Sequence, residues 1–167
     1  KYDTQYSTNS VIAKVRDRYI QDMANEKDPK LISALNLIKD WNLSADSSNT
    51  AAALVLISLP NAFNENNLKY ETDAITSKLV ESIDYLENKF GRLDVPLGEV
   101  LRLIRGETNL PLSGGPDLIR AIYFKKKNDT YVGIAGDCYF QAVEWGPNGE
   151  LNAWTIHQYG SATAIES

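Results

Sequence analysis

The sequence has few of the residues that catalytic and metal sites require. Its 167 residues include one Cys and one His. An internal disulfide is therefore excluded. A structural zinc site is nearly excluded, because it needs several Cys or His ligands. A Ser–His–Asp or Cys–His system would have to use His157, which lies in a strand pattern without a nucleophile elbow. Cys138 lies in an apolar strand, where thiols are generally inert. We therefore predict no catalytic, cofactor-binding or metal-binding residue in this chain.

The sequence also lacks a surplus of basic charge. Its net charge is -5, and no basic stripe with interleaved aromatic residues is present, which argues against a nucleic-acid partner. The only dense basic run, Lys125-Lys126-Lys127, adjoins Asn128-Asp129 and is interpreted as part of a solvated hairpin turn. No signal peptide or membrane-spanning segment is recognisable, so we expect no membrane span.

Other candidate sites have simpler structural interpretations. Two carboxylate pairs can be considered for acid–base chemistry, Glu99 with Glu144 and Asp46 with Asp137, but nothing in the sequence brings either pair together. Asp46 is interpreted as a helix cap and Asp137 as a turn residue. The Gly114-Gly115-Pro116 segment lacks the Gly-Lys-Ser/Thr ending of a phosphate loop and is interpreted as a backbone bend.

The first two thirds of the chain predict helices. Asp28-Pro29 is a typical helix start, and Asp46-Ser47-Ser48 is a cap cluster before a helix that is apolar all round, at residues 51–57. Pro60 is expected to end that helix. A short helix is predicted over Leu97–Ile104. The apolar residues that carry the remaining helix predictions are Ile12, Val15, Tyr19 and Met23, then Leu31, Leu35, Ile38 and Trp41, then Ile75, Leu79, Ile83, Leu86 and Phe90, which precedes a terminating Gly91.

The last third predicts two antiparallel hairpins. The predicted strands are Leu118–Lys126 with Tyr131–Ala135, and Cys138–Trp145 with Leu151–Tyr159 around the turn at residues 146–149. The third strand is apolar on both faces and therefore needs cover on both. We predict an α+β fold with a helical region at 1–112 and an antiparallel strand region at 113–167, together a fragment of one larger domain.

A series of short motifs resembles the C-terminal part of the large (beta) subunit of penicillin-acylase and acyl-homoserine-lactone-acylase enzymes. The motifs follow the order seen in that family and cover most of the chain. They are Trp41 followed by Asp46-Ser47, then Val95-Pro96-Leu97-Gly98-Glu99, Arg105-Gly106, Leu112-Ser113-Gly114-Gly115, Gly136-Asp137-Cys138-Tyr139, Val143-Glu144-Trp145-Gly146-Pro147 and Tyr159-Gly160-Ser161-Ala162. The chain departs from the family at Asn42, where Asp is usual, at Cys138, where Ser is usual, and after Gly160, where a Gln is missing.

The resemblance implies a parent enzyme of the N-terminal-nucleophile hydrolase class, with an αββα sandwich, in the periplasm or outside the cell. Such enzymes cleave the amide of an N-acyl compound with an N-terminal Ser, whose own amine acts as base, while an Asn and backbone N–H groups hold the oxyanion. In relatives these groups lie upstream of the matched region, and this chain begins with Lys1. We therefore expect a structural portion that is not catalytic alone and that binds the remaining parts of the parent acylase.

Two other hypotheses remain open. In one, the chain is an autonomous binding module whose apolar site is lined by the aromatic residues Trp145, Trp154 and Tyr159, although aromatic residues of this kind more often belong to a sheet core. In the other, disfavoured one, it is a self-contained enzyme that uses His157 or Cys138. The oligomeric state in solution distinguishes the binding module from a fragment. A closed module should be monomeric, whereas a fragment should self-associate through exposed sheet edges or bind a hydrophobic dye at its exposed apolar surface.

Overall fold

The chain folds as helices followed by strands, which confirms the predicted mixed α+β class. The computed structural model describes residues 3–59, 70–137 and 139–156. The helices in these ranges are α1 (Val11–Asp22), α2 (Pro29–Lys39), α3 (Ala52–Ser58), α4 (Thr72–Phe90) and α5 (Leu97–Val100). The strands are β1 (Leu101–Arg105), β2 (Thr108–Pro111), β3 (Ile122–Lys127), β4 (Thr130–Gly136), β5 (Phe140–Trp145) and β6 (Leu151–Ile156). None of the described helices combines the length and apolarity needed to cross a bilayer.

The helix ends follow local capping rules. Asp28 Oδ1 accepts a hydrogen bond from Lys30 N at 2.8 Å, and Pro29 occupies the first position of α2. Gly91 ends α4 with a left-handed backbone, φ +73°, which a residue without Cβ adopts at no steric cost. Both predicted helix ends are therefore confirmed.

Helix α3 lies at the centre of the core. All seven of its residues are buried, and it packs against α2, α4 and α5, as a helix that is apolar all round requires. The predicted cap is wrong. Asn49 Oδ1 accepts hydrogen bonds from Ala51 N at 3.0 Å and Ala52 N at 2.9 Å, whereas Asp46 bonds to Ser48.

The strands form two separate sheets. One has four strands in the order β2-β1-β4-β3, and the other contains β5 and β6 alone. Every pairing is antiparallel except that of β1 with β4, which is parallel. The predicted pair of hairpins is present as β3–β4 and β5–β6, but a third hairpin, β1–β2, was not predicted. The prediction that all strands pair antiparallel is therefore wrong for β1 and β4.

The segment predicted as a helix over Leu97–Ile104 changes structure in its middle. Helix α5 ends at Val100, and Leu101 adopts an extended backbone that begins β1. β1 forms a tight hairpin with β2 on one side and pairs with the distant β4 on the other, and these hydrogen bonds override a weak local helix preference. Strands therefore begin before position 113, the boundary that the sequence suggested.

The remaining strand predictions are mostly confirmed. The turn at residues 146–149 is present, with Gly149 at φ +86°. β3 begins at Ile122 rather than Leu118, because the chain turns sharply at Asp117, where φ is +60°. Cys138 and the residues after Ile156, like Pro60, lie outside the described residues.

Candidate functional site

Three of the acylase-like motif segments meet in space. We call this contact of residues 45–49, 95–99 and 112–115 the motif junction. Backbone hydrogen bonds join the first two segments, from Gly98 N to Ser47 O at 2.8 Å and from Leu97 N to Asn49 O at 3.0 Å. The third segment is tied to the first through Ser113 Oγ, which accepts from Ser47 N at 2.9 Å, and through the bond from Gly114 N to Ala45 O at 2.7 Å.

The junction is packed too closely for side chains at some positions. A Cβ added at Gly98 would lie 2.7 Å from Pro111 Cβ and 2.9 Å from Ser47 Cβ. A Cβ at Gly115 would lie 2.6 Å from the hydroxyl oxygen of Tyr6. Glycine at these two positions is therefore a packing requirement.

Arg102 secures the junction from the sheet side. Its guanidinium donates to Gly98 O at 2.6 Å, to Asn109 Oδ1 at 2.8 Å and to Asn109 O at 2.9 Å. These bonds link the start of β1 to β2 and to α5. Arg102 is thereby committed to protein groups rather than to a ligand.

The residues near the start of the chain close over the junction. Ala45 N donates to Thr4 O at 2.8 Å, and Tyr6 OH donates to Pro116 O at 2.7 Å. Arg120 Nε donates to Asp3 Oδ2 at 2.8 Å. We call residues 3–6 the N-terminal strap, because they hold the loop before α3 against the loop before β3.

Contacts at the strap and at the neighbouring loop shift the pKa values of two carboxyl groups and one phenol. Burial tends to raise the pKa of Asp3, but the hydrogen bond and charge of Arg120 outweigh it, so the pKa lies below its usual value. Hydrogen bonds from the Ser48 backbone and hydroxyl lower the pKa of Asp46. Burial raises the pKa of the Tyr6 hydroxyl above its usual value.

The junction contains hydroxyl groups, and their bonding partners among the described residues are not suited to activating them. A nucleophilic Ser needs a base within hydrogen-bond reach whose pKa lies near the working pH. The carboxylate that accepts from Ser48 Oγ at 2.8 Å is Asp46, and its lowered pKa makes it a weak base. Ser113 Oγ already accepts a backbone N–H. The hydrogen bonds that the structure shows for these hydroxyl groups therefore serve to hold the segments together.

The carboxylates considered from the sequence have separate positions. Glu99 faces Arg92 at 3.7 Å on the surface, and Asp46 belongs to its own turn. Glu144 pairs across the hairpin with Asn152, and Asp137 precedes β5. Within the described ranges, no group of three or more His, Cys, Asp or Glu side chains could hold a metal ion.

Several residues named from the sequence lie outside the described ranges. These are Lys1, Cys138, His157 and Tyr159. The two other aromatic residues of the predicted apolar site are exposed, Trp145 at 72% and Trp154 at 56%. Trp154 is opposite Ala142, and Trp145 is opposite Leu151, so the two indoles lie on opposite faces of the hairpin and do not line one site together.

A shallow cleft of about 430 Å³ lies between α2 and the end of α4. Its lining includes Lys30 and Glu87, whose side chains form an ion pair at 2.7 Å. Ser33 and Asp94 complete its polar lining. The charges in the cleft are thus partly neutralised by each other, and no aromatic side chain is available for stacking a ligand.

Sequence reasoning missed the residues that build the junction from a distance. Arg120 and Tyr6 contact segments more than a hundred residues away in the chain. Arg102 joins nearby segments, but its three hydrogen bonds form only because α5, β1 and β2 fold against one another. No local pattern marks such contacts. The short motifs were the only available signal, since they identified the three segments that meet.

No protein-family model matches this chain, and no curated protein matches it.

Proposed function

We propose that this chain is a structural portion of an amide hydrolase of the penicillin-acylase type, which acts on N-acyl compounds such as acyl-homoserine lactones or penicillins. In this proposal it does not catalyse hydrolysis alone. It braces the enzyme with its helices and contributes strands to a larger sandwich, while the N-terminal Ser and the oxyanion-binding groups belong to the remaining parts. The enzyme works in the periplasm or outside the cell.

The observation that carries the proposal is the motif junction. The segments that resemble the acylases are separated by tens of residues in the chain, yet they bond to one another through Ser47, Gly98 and Ser113. Gly98 must be glycine because Ser47 and Pro111 leave no room for a Cβ. A set of short motifs that depend on one another sterically is expected to recur together as one packing unit, which favours common ancestry over chance.

The exposed hairpin supports a role as part of a larger assembly. The four side chains Tyr139, Trp145, Leu151 and Trp154 are each more than half exposed. A two-stranded hairpin on its own is marginally stable in water, and large exposed apolar groups are typical of an interface. The binding-module alternative lacks a comparable observation, since the two described aromatic residues of its site face opposite directions.

The test is reconstitution of amidase activity. The purified chain is assayed with N-acyl-homoserine lactone and with penicillin, alone and after co-expression with the companion polypeptide from its source that begins with Ser. We expect no release of free amine from the chain alone and clear release from the combination. The matched control replaces that N-terminal Ser by Ala and should be inactive. Hydrolysis by the chain alone, or no hydrolysis by any combination, would contradict the proposal.

A further inference from the structure

The C-terminal part of the chain has no basic side chain. Every Lys and Arg lies at or before position 127, whereas residues 128–167 contain five acidic residues. The other 17 acidic residues balance the 17 basic ones, so the whole net charge of -5 arises after position 127. In the described part of this region the acidic residues are Asp129, Asp137, Glu144 and Glu150.

The β5–β6 hairpin is apolar on both of its faces. Trp145 and Leu151 are cross-strand partners on one face, with exposures of 72% and 61%. Trp154, at 56%, lies on the other face beside Ala142. Side chains alternate between the faces of a strand, so cover on one side alone would leave an indole in water. The hairpin therefore suits a position between two covering layers.

Among the described residues, the outer edges of the hairpin have little protection against pairing. Natural edge strands are usually protected by Lys, by Pro or by a bulge. β5 and β6 contain no Lys and no Pro, and the register between them has no shift that would mark a bulge. Neither strand has another neighbour among the described strands. Gly146 N donates to Glu150 O, so these two residues form a hydrogen-bonded pair. Such pairs alternate with non-hydrogen-bonded pairs along an antiparallel ladder. The N–H and C=O groups of the next pair, Trp145 and Leu151, therefore point outward from the hairpin.

We propose that the outer edge of β5 is the docking surface for an extended segment of a partner polypeptide, which adds a strand there and places Lys or Arg beside Glu144. Opposite charges on neighbouring strands stabilise the pair, and like charges destabilise it. The hairpin of a second copy has no Lys or Arg to place beside Glu144, since residues 128–167 contain none, so a second copy lacks the complementary charge. The inference rests on the proposed function in one respect, namely that a partner polypeptide exists.

The first test uses two short synthetic peptides of equal length, one alternating Lys with Val and the other alternating Glu with Val. Binding to the full chain is followed by tryptophan fluorescence, because Trp145 and Trp154 are exposed whereas Trp41 is buried. We expect the Lys peptide to bind about tenfold more tightly than the Glu peptide, and salt to reduce this difference. Equal affinities would overturn the proposal.

Matched charge variants separate a specific edge from general attraction. Glu144→Lys should remove the preference for the Lys peptide, and Glu144→Gln, which nearly preserves the side-chain volume, should reduce it. Glu71→Lys makes the same change in net charge at the N-cap of α4, outside the sheet that β5 and β6 form, and should leave the preference intact. If Glu71→Lys weakens binding as much as Glu144→Lys, attraction is nonspecific and the proposal fails.

Amide hydrogen exchange measured by NMR locates the added strand. Binding of the Lys peptide should protect the outward amides of β5, at Gln141, Val143 and Trp145, more than those of β1. Protection elsewhere would overturn the assignment. If the chain alone dimerises and Trp145→Glu abolishes the dimer, the occupant is a second copy instead.

If the peptides fail to bind but reconstitution yields amidase activity, the docking surface is wrong and the proposed function stands. If the peptides bind as expected but reconstitution yields no activity, the proposed function is wrong.

Discussion

At Gly98 two backbone segments approach so closely that the absence of a side chain determines the packing. Its N–H bonds to Ser47 O, and its carbonyl accepts from Arg102. The Pro111 side chain closes the remaining space. A single position therefore couples helix α5, the loop before α3 and the end of β2.

Gly98→Ala should destabilise the chain by about 2 kcal/mol, because overpacking of this kind forces backbone or side chains to shift. The measurement is the free energy of unfolding by chemical denaturation. Ser47→Gly removes Ser47 Cβ, one of the three atoms that the new Cβ would meet. The double variant should therefore lose less stability than the sum of the single variants. Strict additivity would show that Gly98 is not limited by this contact.

The strap ion pair predicts a stability change at acid pH. The folded pKa of Asp3 lies below its ordinary value of 3.8. The contribution of the pair is therefore complete above that value and is lost as the pH falls through the folded pKa. Asp3→Asn should cost about 1 kcal/mol at neutral pH, because the side chains of Asp3 and Arg120 are 20% and 32% exposed and solvent weakens the pair.

Denaturation curves measured on both sides of pH 3.8 check this prediction. The wild-type free energy of unfolding should fall more steeply below that pH than the free energy of the Asp3→Asn variant. Asp17→Asn is the control, since Asp17 forms its ion pair with the adjacent Arg16 and is 58% exposed. It should follow the wild-type slope. Identical slopes for all three proteins would contradict the role of the strap.

At the scale of elements, the start of α3 distinguishes two capping hypotheses. The sequence suggests Asp46, whereas the first amides of the helix donate to Asn49 Oδ1. Asn49→Ala should cost about 1–2 kcal/mol of stability, as the loss of a helix cap does. Asp46→Ala should cost less, since Asp46 holds only its own turn through Ser48. Thermal unfolding of the two variants checks the order, and a larger loss for Asp46→Ala would reverse the assignment.

Elements differ in how fully the sequence predicts them. α2 and α4 carry their start and stop signals locally, in Asp28, Pro29 and Gly91. β1 does not, because Leu101 and the residues after it become a strand only by pairing with β2 and β4. The local pattern there favoured a helix, and the hairpin with β2 together with the pairing to the distant β4 overrode it.

At the scale of the whole molecule, the hairpin and the rest of the chain differ in the contacts that hold them. The core is a cluster of buried side chains around α3 that extends into α4, α5 and β1. No described hydrogen bond joins β5 or β6 to these elements, and the two strands form a sheet of their own. The two regions therefore need not open together.

Hydrogen exchange of the chain without any partner should reveal this difference. Amides within the β5–β6 pairing should exchange through local opening that costs about 0–2 kcal/mol, whereas amides of α3 should approach the global free energy of unfolding. The Val55 and Leu59 amides, which donate to Ala51 O and Val55 O, represent the core, and the Ala142 and Trp154 amides represent the hairpin. Equal protection of the two sets would contradict the separation.

The sequence by itself determined that helices precede strands, the buried character of α3, the start of α2, the end of α4 and the turn at residues 146–149. These features depend on residues within a few positions of one another, so periodicity and capping residues reveal them. Only the tertiary structure decided the parallel pairing of β1 with β4, the meeting of Ser47, Gly98 and Ser113, and the exposure of both hairpin faces. Each of these depends on segments tens of residues apart, whose contact energies leave no local pattern in the chain.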